Sequence, residues 1–597
     1  MENAALLSIV VIIVLGIFSQ WAAWRIKWPS IVIMSIAGML IGPVFGLINP
    51  EQALAELYSP LISLAVAIIL FEASSSLDIR EIKDISKSVF RIITAGAFIA
   101  WIGGSLAAHY IAGLRLELGF IIGGLFIVTG PTVIIPLLRQ SKLKPRMAAV
   151  LKWEGIILDP VGPLLALFAY QVIKVMTWES IGVNFLLFFF LGALGAAAIG
   201  YGAGLVVSIL ISKGLLPEYL KSPILLAFIL ISFTISEMVI NETGMLAVTV
   251  MGLTLARTKK YVASIGGTGE FVENISILLT STVFILLTSS LSREIIGDVL
   301  TFSIIAFVVV MLFIVRPLSI WISTIGTELT LKEKTLISWI APRGIVALTV
   351  SGYFATILME DGYDDATILV ALTFALVFIT VCAHGFTLRP LAKKFGLATP
   401  KQPGILIVGA NEFSIAFAEQ CKQMDIPVLI IDHSYRQLPA ANEKGIQTYH
   451  GEILSEQTSY DIDLTPYEFI LAMTDEAAYN ALVCQTYIPE YGYDFTFLLP
   501  VREQTEAKGQ KVPRAIKANI LFEEVQEAFV KKVQQGYTFK TIEPAIDEKT
   551  TADKVDYPGM LLFIQKEDDS LAFVTRGKKP TVHSGDMLVV FSMENDE

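Results

Sequence analysis

Apolar residues fill the first two thirds of the chain in blocks of about twenty, separated by short polar stretches, and the pattern then changes abruptly. Blocks long enough to cross a bilayer fall near 5–24, 30–48, 57–75, 89–111, 117–138, 147–173 and 184–212. Six more fall near 222–240, 243–257, 272–291, 298–320, 335–357 and 366–388, which predicts about 13 membrane-spanning helices. Past Gly396 the runs are shorter. Ile405–Gly409, Val428–Asp432 and Phe469–Met473 read as buried strands, each followed by a helical stretch or a turn.

The polar stretches order these blocks. Alternate loops carry Arg25 and Lys27, then Arg80, Lys83 and Lys87, then Arg139, Lys142, Lys144 and Arg146, then Lys213 and Lys221. The series continues with Arg257, Lys259 and Lys260, with Lys332 and Lys334, and with Arg389, Lys393 and Lys394. The intervening loops hold Arg115, Lys174 and Arg293. Basic loops mark the cytoplasmic side, so the N-terminus is expected outside and the polar tail inside. The N-terminal block has no basic leader or small-residue cleavage site and reads as a first spanning helix.

With helices one to six as one half, eight to thirteen as the other and the seventh as a link, the halves begin on opposite sides of the membrane. The fifth helix of the first half contains Thr129-Gly130-Pro131-Thr132, and the fifth of the second contains Ala341-Pro342-Arg343-Gly344. Gly/Pro interruptions at matching places in two inverted repeats point to a transporter's midplane site, because interrupted helices free backbone groups that only a cavity can tolerate.

Composition changes the picture of the two parts. Of the 597 residues 54% are hydrophobic, too many for a soluble chain, and the mean hydropathy is +0.66. From Gly396 onward 18 basic residues face 31 acidic ones, so the tail carries about −13 and more than accounts for the net charge of −11. That sign argues against nucleic acid as a partner, since phosphate contact needs a basic footprint. Cys382, Cys421 and Cys484 are scattered, without disulfide or zinc spacing.

The candidate chemistry is set by charges in apolar surroundings, which cost about 2.5–3.5 kcal/mol each to insert. Asp159 is the leading candidate. A carboxylate binds an alkali cation or a proton but not both, and so couples two opposing fluxes; the competing reading is a helix-capping Asp near the interface. Pro160 after it is expected to loosen the helix. Glu154 is turned away by about 140° and is read as a structural ion pair with Arg343, the alternative partner being Lys152. Glu72 either lines a cytoplasmic funnel or marks a helix end, and Thr129 and Thr132 offer oxygens beside the break. A lone His384 beside Gly385 reads as packed structure.

Phe71-Glu72, Thr129-Gly130-Pro131-Thr132, Trp153-Glu154-Gly155 through Asp159-Pro160, Arg316-Pro317 and Ala341-Pro342-Arg343-Gly344 together resemble the monovalent cation:proton antiporter-1 family, in particular bacterial sodium/proton exchangers of the NhaP type, over about residues 5–395. The resemblance implies two inverted repeats with crossed broken helices, a homodimer in a bacterial plasma membrane, and an ion or proton on Asp159. It also implies pairing of Glu154 with Arg343, and secondary active exchange of Na+ or K+ for H+ with no required cofactor. Two residues depart from the family pattern: Gly130 stands where an acid is frequent, and Leu158 where Asn is usual. Both remove oxygens, which favours the more easily dehydrated K+, and a single titratable group at the paired position suggests electroneutral exchange. A cation channel or efflux pore gated by the tail is the alternative.

The tail, over about 403–515, resembles the N-terminal nucleotide-binding domain of TrkA-type regulators, a Rossmann-like arrangement with Asp432 about 20 residues beyond the first turn. Its fingerprint keeps Gly409 but has Asn411 and Ser414 at the other glycine positions, so a regulatory nucleotide on Gly409, Asn411 and Asp432 competes with a purely structural domain. A helix and short strands at 537–542, 560–565, 571–575 and 587–591 predict a small β-rich module over 519–597. The domain division read from the sequence is therefore 1–395, 403–515 and 519–597.

Overall fold

The computed structural model describes the chain apart from residues 1, 27, 78–81, 83–84, 142, 178–183, 259–265, 399–402, 456–457, 459–461, 463, 465, 502–519, 545–549, 553–554, 568, 577–578 and 594–597. Lys27, Arg80, Lys83, Lys142, Lys259 and Lys260 of the basic loops lie outside the described residues. The chain forms two compact units, 1–398 and 399–597.

The first unit is a bundle of apolar helices in which, among the described residues, nine are long and apolar enough to cross a membrane and four shorter ones fall at the remaining predicted places. With two further short helices, Pro131–Ser141 and Leu331–Trp339, beside the shorter ones, the labelled helices in chain order are α1 (Glu2–Ile26), α2 (Ser30–Met39), α3 (Tyr58–Ser75), α4 (Ser86–Tyr110), α5 (Leu116–Leu125), α6 (Pro131–Ser141) and α7 (Pro145–Thr177). There follow α8 (Asn184–Ser212), α9 (Glu218–Val239), α10 (Gly244–Thr258), α11 (Gly266–Ser289), α12 (Phe302–Ser323), α13 (Leu331–Trp339), α14 (Ile345–Glu360) and α15 (Ile368–Phe395).

Two pairs of these, α5 with α6 and α13 with α14, are the halves of the two interrupted passes. In each case the break falls on the predicted Gly/Pro stretch, where proline has no amide hydrogen to continue the ladder. The passes just before them match as well. Both α4 and α12 contain one π-helical turn, Ile92–Gly96 and Met311–Val315. A π turn adds a residue and swings the following side chains around the axis. In α12 the first residue after it is Arg316.

Helix α7 runs unbroken through Pro160 and Pro163, so Pro160 removes the donor to the Ile156 carbonyl without breaking the helix. Neighbouring helices support the backbone there, as membrane bundles allow. The packing that achieves this is close: a methyl group on Gly162 would lie 3.1 Å from the Gly124 carbonyl, and one on Gly124 would lie 2.9 Å from the Ala166 amide. Pro163 also has a local effect, since without an N–H it leaves the carbonyl of Asp159 free of its helical donor.

The second unit holds a five-stranded parallel sheet of order β3-β2-β1-β4-β5, formed by β1 (Gly404–Val408), β2 (Val428–Asp432), β3 (Gln447–His450), β4 (Tyr467–Ala472) and β5 (Thr496–Leu498). Helices α16 (Glu412–Gln423), α17 (Leu438–Glu443) and α18 (Ala477–Tyr491) connect its strands. This is the 3-2-1-4-5 strand order of a doubly wound fold. Beyond it, α19 (Gln526–Gln534) precedes β6 (Tyr537–Ile542), β7 (Thr550–Thr551), β8 (Met560–Gln565), β9 (Leu571–Phe573), β10 (Thr581–Val582) and β11 (Met587–Met593). Four of these strands form an antiparallel sheet of order β6-β11-β8-β9.

The two sheets share one apolar core. Phe413 of α16 stacks on Phe529 of α19 at 4.4 Å between ring centres and meets Phe591 of β11 edge-on at 5.8 Å. Rings buried in this way contribute beyond their area. Cys421 and Cys484 are buried in the unit, and burial pushes the Cys484 thiol up to about 12, so neither is poised for redox chemistry.

Candidate functional site

The two interrupted passes cross at their breaks, and the contact is backbone on backbone. A methyl group added to Gly130 would lie 2.6 Å from the Gly344 Cα, and one on Gly344 would lie 2.8 Å from the Gly130 Cα. No real Cβ fits at such distances. This explains why position 130 carries no side chain. Overfilling a packed site typically costs about 1–3 kcal/mol, so Gly130→Ala is expected to lower the melting midpoint of the purified protein in detergent. An unchanged midpoint would mean that the crossing is looser than described.

The helix that carries Asp159 lies against this crossing. A methyl on Gly155 would sit 2.8 Å from the carbonyl oxygen of Thr129, so the unwound chain of the first break presses onto α7 at Gly155. Asp159 is four residues further along, on the same face. It is 1% exposed, and its Oδ1 has no hydrogen-bond partner among the described residues. The hydroxyls of Thr129 and Thr132 are buried and equally unpartnered. Native interiors seldom leave polar atoms in this state, so three orphaned oxygens on the elements of one crossing call for an explanation.

The access route is a funnel of about 830 Å³ at the end of the bundle that bears Trp24 and Arg389; Glu72, Glu273 and Ser276 line its wall, and Thr132 lines it next to the break. Of the two readings of Glu72, the structure favours the funnel wall. Its Oε2 lies 3.4 Å from the Ser276 hydroxyl. Asp159 is not among the residues lining the funnel.

The pairing of Glu154 differs from the expected one. Its carboxylate is held by Arg316, which grips both oxygens. Nη1 pairs with Oε1, and Nη2 donates to Oε2 at 2.9 Å. Arg316 Nη2 also donates to the carbonyls of Ile340 (2.9 Å) and Ile337 (3.1 Å), the last turn of α13. Arg343 instead donates from Nη1 to the Val128 carbonyl at 2.6 Å, beyond the end of α5.

The physical reason is that each interrupted helix leaves carbonyls without donors and a negative dipole end inside the bundle. Each arginine serves one of these ends. The π turn places Arg316 within reach of both α13 and Glu154, and a two-pronged guanidinium leaves Glu154 no oxygen for a second fork. Glu154, Leu158, Arg316 and Arg343 line a small common cavity, so Arg343 remains a neighbour of the pair without being Glu154's partner. Arg316 was visible in the sequence as a charge within an apolar block; nothing there showed which arginine would meet Glu154. His384 packs edge-on against Trp339, with ring centres 5.6 Å apart.

In the second unit, Gly409, Asn411 and Asp432 come together at the turn after β1, with Gly409 at φ +109° against the backbone of Met473 and Thr474. Their polar groups serve one another. Asp432 Oδ2 accepts from the Ala410 amide at 2.6 Å, and Oδ1 accepts from the Ser434 amide at 2.7 Å. The Asn411 and Ser414 side chains and amides form a reciprocal cap on α16, at 2.9 and 2.8 Å. Asn411 Nδ2 donates to the Met473 carbonyl at 2.8 Å. In a dinucleotide site the amides of this turn would face pyrophosphate.

Comparison with known proteins bears on both units. The family model for "Sodium/hydrogen exchanger, transmembrane" matches residues 9–394, and that for "TrkA-N domain" matches 405–490. The Na(+)/H(+) antiporter NhaH of Halobacillus aidingensis is 26% identical over 387 residues, covering 61% of this chain and 92% of that protein. The K(+)/H(+) antiporter NhaP of Alkalimonas amylolytica is 24% identical over 411 residues, covering 67% and 68%. The solved structure of the sodium proton antiporter MjNhaP1 from Methanocaldococcus jannaschii superposes with a TM-score of 0.58 at 20% identity. It covers 64% of this chain and 98% of that one, a likeness of fold.

Proposed function

The chain belongs to the sodium/hydrogen exchanger family, and from that premise we propose that it exchanges a monovalent cation, Na+ or K+, for protons at Asp159. The observation that carries this reading is the buried Asp159 carboxylate with an unpartnered oxygen, on a helix pressed against the crossed breaks. Thr129 and Thr132, on the break that presses against this helix, offer neutral oxygens, and Glu72 in the funnel wall draws cations in. The closed inner end supports alternation over a pore. Among the described residues the funnel reaches Thr132 but not Asp159, whereas a channel needs a continuous path.

The fixed charges support electroneutral exchange. Arg316, Arg343, Glu154 and an ionised Asp159 sum to zero, and either a proton or a monovalent cation on Asp159 brings the same single positive charge. One-for-one exchange then moves no net charge. The test is flux into proteoliposomes with Na+ and K+ side by side. Proton movement driven by a cation gradient supports the proposal, and cation flux without proton movement would overturn it. We further propose that the basic end of the bundle faces the cytoplasm, with the tail on that side as a regulatory element, in a homodimer in a bacterial plasma membrane.

We also propose that the tail reports its signal without a dinucleotide on the turn after β1, because Asp432, Asn411 and Ser414 already occupy that turn's donors. NADH fluorescence titrated with full-length protein is expected to show binding no tighter than about 1 mM. Saturable micromolar binding, lost in Asp432→Ala, would overturn this.

A further inference from the structure

Thr132 lies where the two breaks meet. Its hydroxyl lies 3.4 Å from where a Gly130 methyl would stand and 3.3 Å from where a Gly344 methyl would stand, so it sits at the contact of the two breaks. The residue is 6% exposed, and its oxygen has no hydrogen-bond partner among the described residues. It also lines the funnel, together with Pro131. A threonine in a membrane helix ordinarily satisfies its hydroxyl on a carbonyl one turn back. Thr249, Thr254 and Thr373 of this chain do so, at 2.7–2.8 Å. Thr132 is the second residue of its half-helix, so no helical turn precedes it and no such carbonyl is available.

We propose that the Thr132 hydroxyl is a cation ligand at the inner end of the funnel, where it takes over part of the ion's hydration shell before the ion reaches Asp159. A hydroxyl is a neutral, weak-field oxygen. It replaces water more readily on the weakly hydrated K+ than on Na+, so the residue biases the site toward K+. This inference rests on the antiporter reading and deepens it.

The test compares wild type, Thr132→Val and Thr132→Ser in proteoliposomes, measuring KM and kcat for K+ and Na+, together with melting midpoints in cation-free detergent. Valine keeps the shape and removes the oxygen. It is expected to raise KM for K+ about tenfold, the equivalent of one lost polar contact, with a smaller rise for Na+ and with kcat retained. It should also raise the cation-free melting midpoint, because it removes an orphaned buried hydroxyl. Serine restores the oxygen and should restore KM.

A Thr132→Val protein with unchanged KM for both ions, or one whose midpoint falls while KM and kcat deteriorate together and serine fails to rescue, overturns the ligand role. A larger KM rise for Na+ than for K+ overturns the bias toward K+. If wild type itself shows no cation-coupled proton flux, it is the antiporter reading that fails instead.

Discussion

Asp159→Asn protein, reconstituted into liposomes, is expected to show no cation-driven proton movement above that of empty vesicles. The substitution keeps the shape of the side chain and removes both of the functions proposed for it. An amide accepts no proton in the working range and offers no charge to a cation stripped of water. The surroundings make that loss decisive. Thr129 and Thr132 supply neutral oxygens, and both fixed arginines are positive, so without Asp159 the crossing keeps a net positive charge that repels any cation. The same substitution should leave the fold intact or slightly firmer, because a neutral amide is cheaper to bury than a carboxylate with an orphaned oxygen. Residual exchange in the Asn variant, with a normal melting profile, would move the exchanging group elsewhere.

The second large effect concerns stability. Glu154→Gln leaves Arg316 buried without its counter-charge, and breaking one side of a buried pair costs about 3–5 kcal/mol. The purified protein should melt markedly earlier in detergent, or fail to accumulate in the membrane. Arg316→Met should do the same from the other side, with an added loss because the carbonyls of Ile337 and Ile340 lose their donor. The double variant is expected to recover part of the deficit, since a neutral pair leaves no bare charge. Combining Glu154→Gln with Arg343→Met is expected to give no recovery, because Arg343 serves Val128. The reverse result, with rescue through Arg343 and none through Arg316, would restore the pairing that the sequence first suggested.

That contrast shows what the sequence could and could not convey. The thirteen passes were legible because each is a long apolar block, and the two breaks because Gly130-Pro131 and Pro342-Arg343-Gly344 are wrong for continuous helix. The choice between Arg316 and Arg343 was not legible. It turns on a π turn, which adds no distinctive residue to Met311–Val315, and on carbonyl acceptors, which every residue possesses.

In the tail, β1, β2 and β4 announced themselves as runs of Ile, Leu and Val, whereas β3 did not. Gln447–His450 is a polar edge strand, recognisable only through its partner β2. The aromatic rings of Phe413, Phe529 and Phe591 meet across the predicted border between the Rossmann-like part and the β-rich module, and both parts lie in one compact unit. Such long-range meetings carry no local signature.

The contact of Gly130 with Gly344 has a consequence for how this chain tolerates change. The two positions are 214 residues apart in sequence yet behave as a single locus, since each is barred from carrying a side chain by the other's Cα. In most cores a residue that grows can be accommodated by one that shrinks; here neither glycine has anything to give up. A saturation library should therefore score both positions as intolerant, and pairwise libraries should find no compensating combination at the two sites. Suppressors of a change at one glycine must then come from substitutions that shift whole half-helices, and the places where they cluster would map how the two repeats lean on each other.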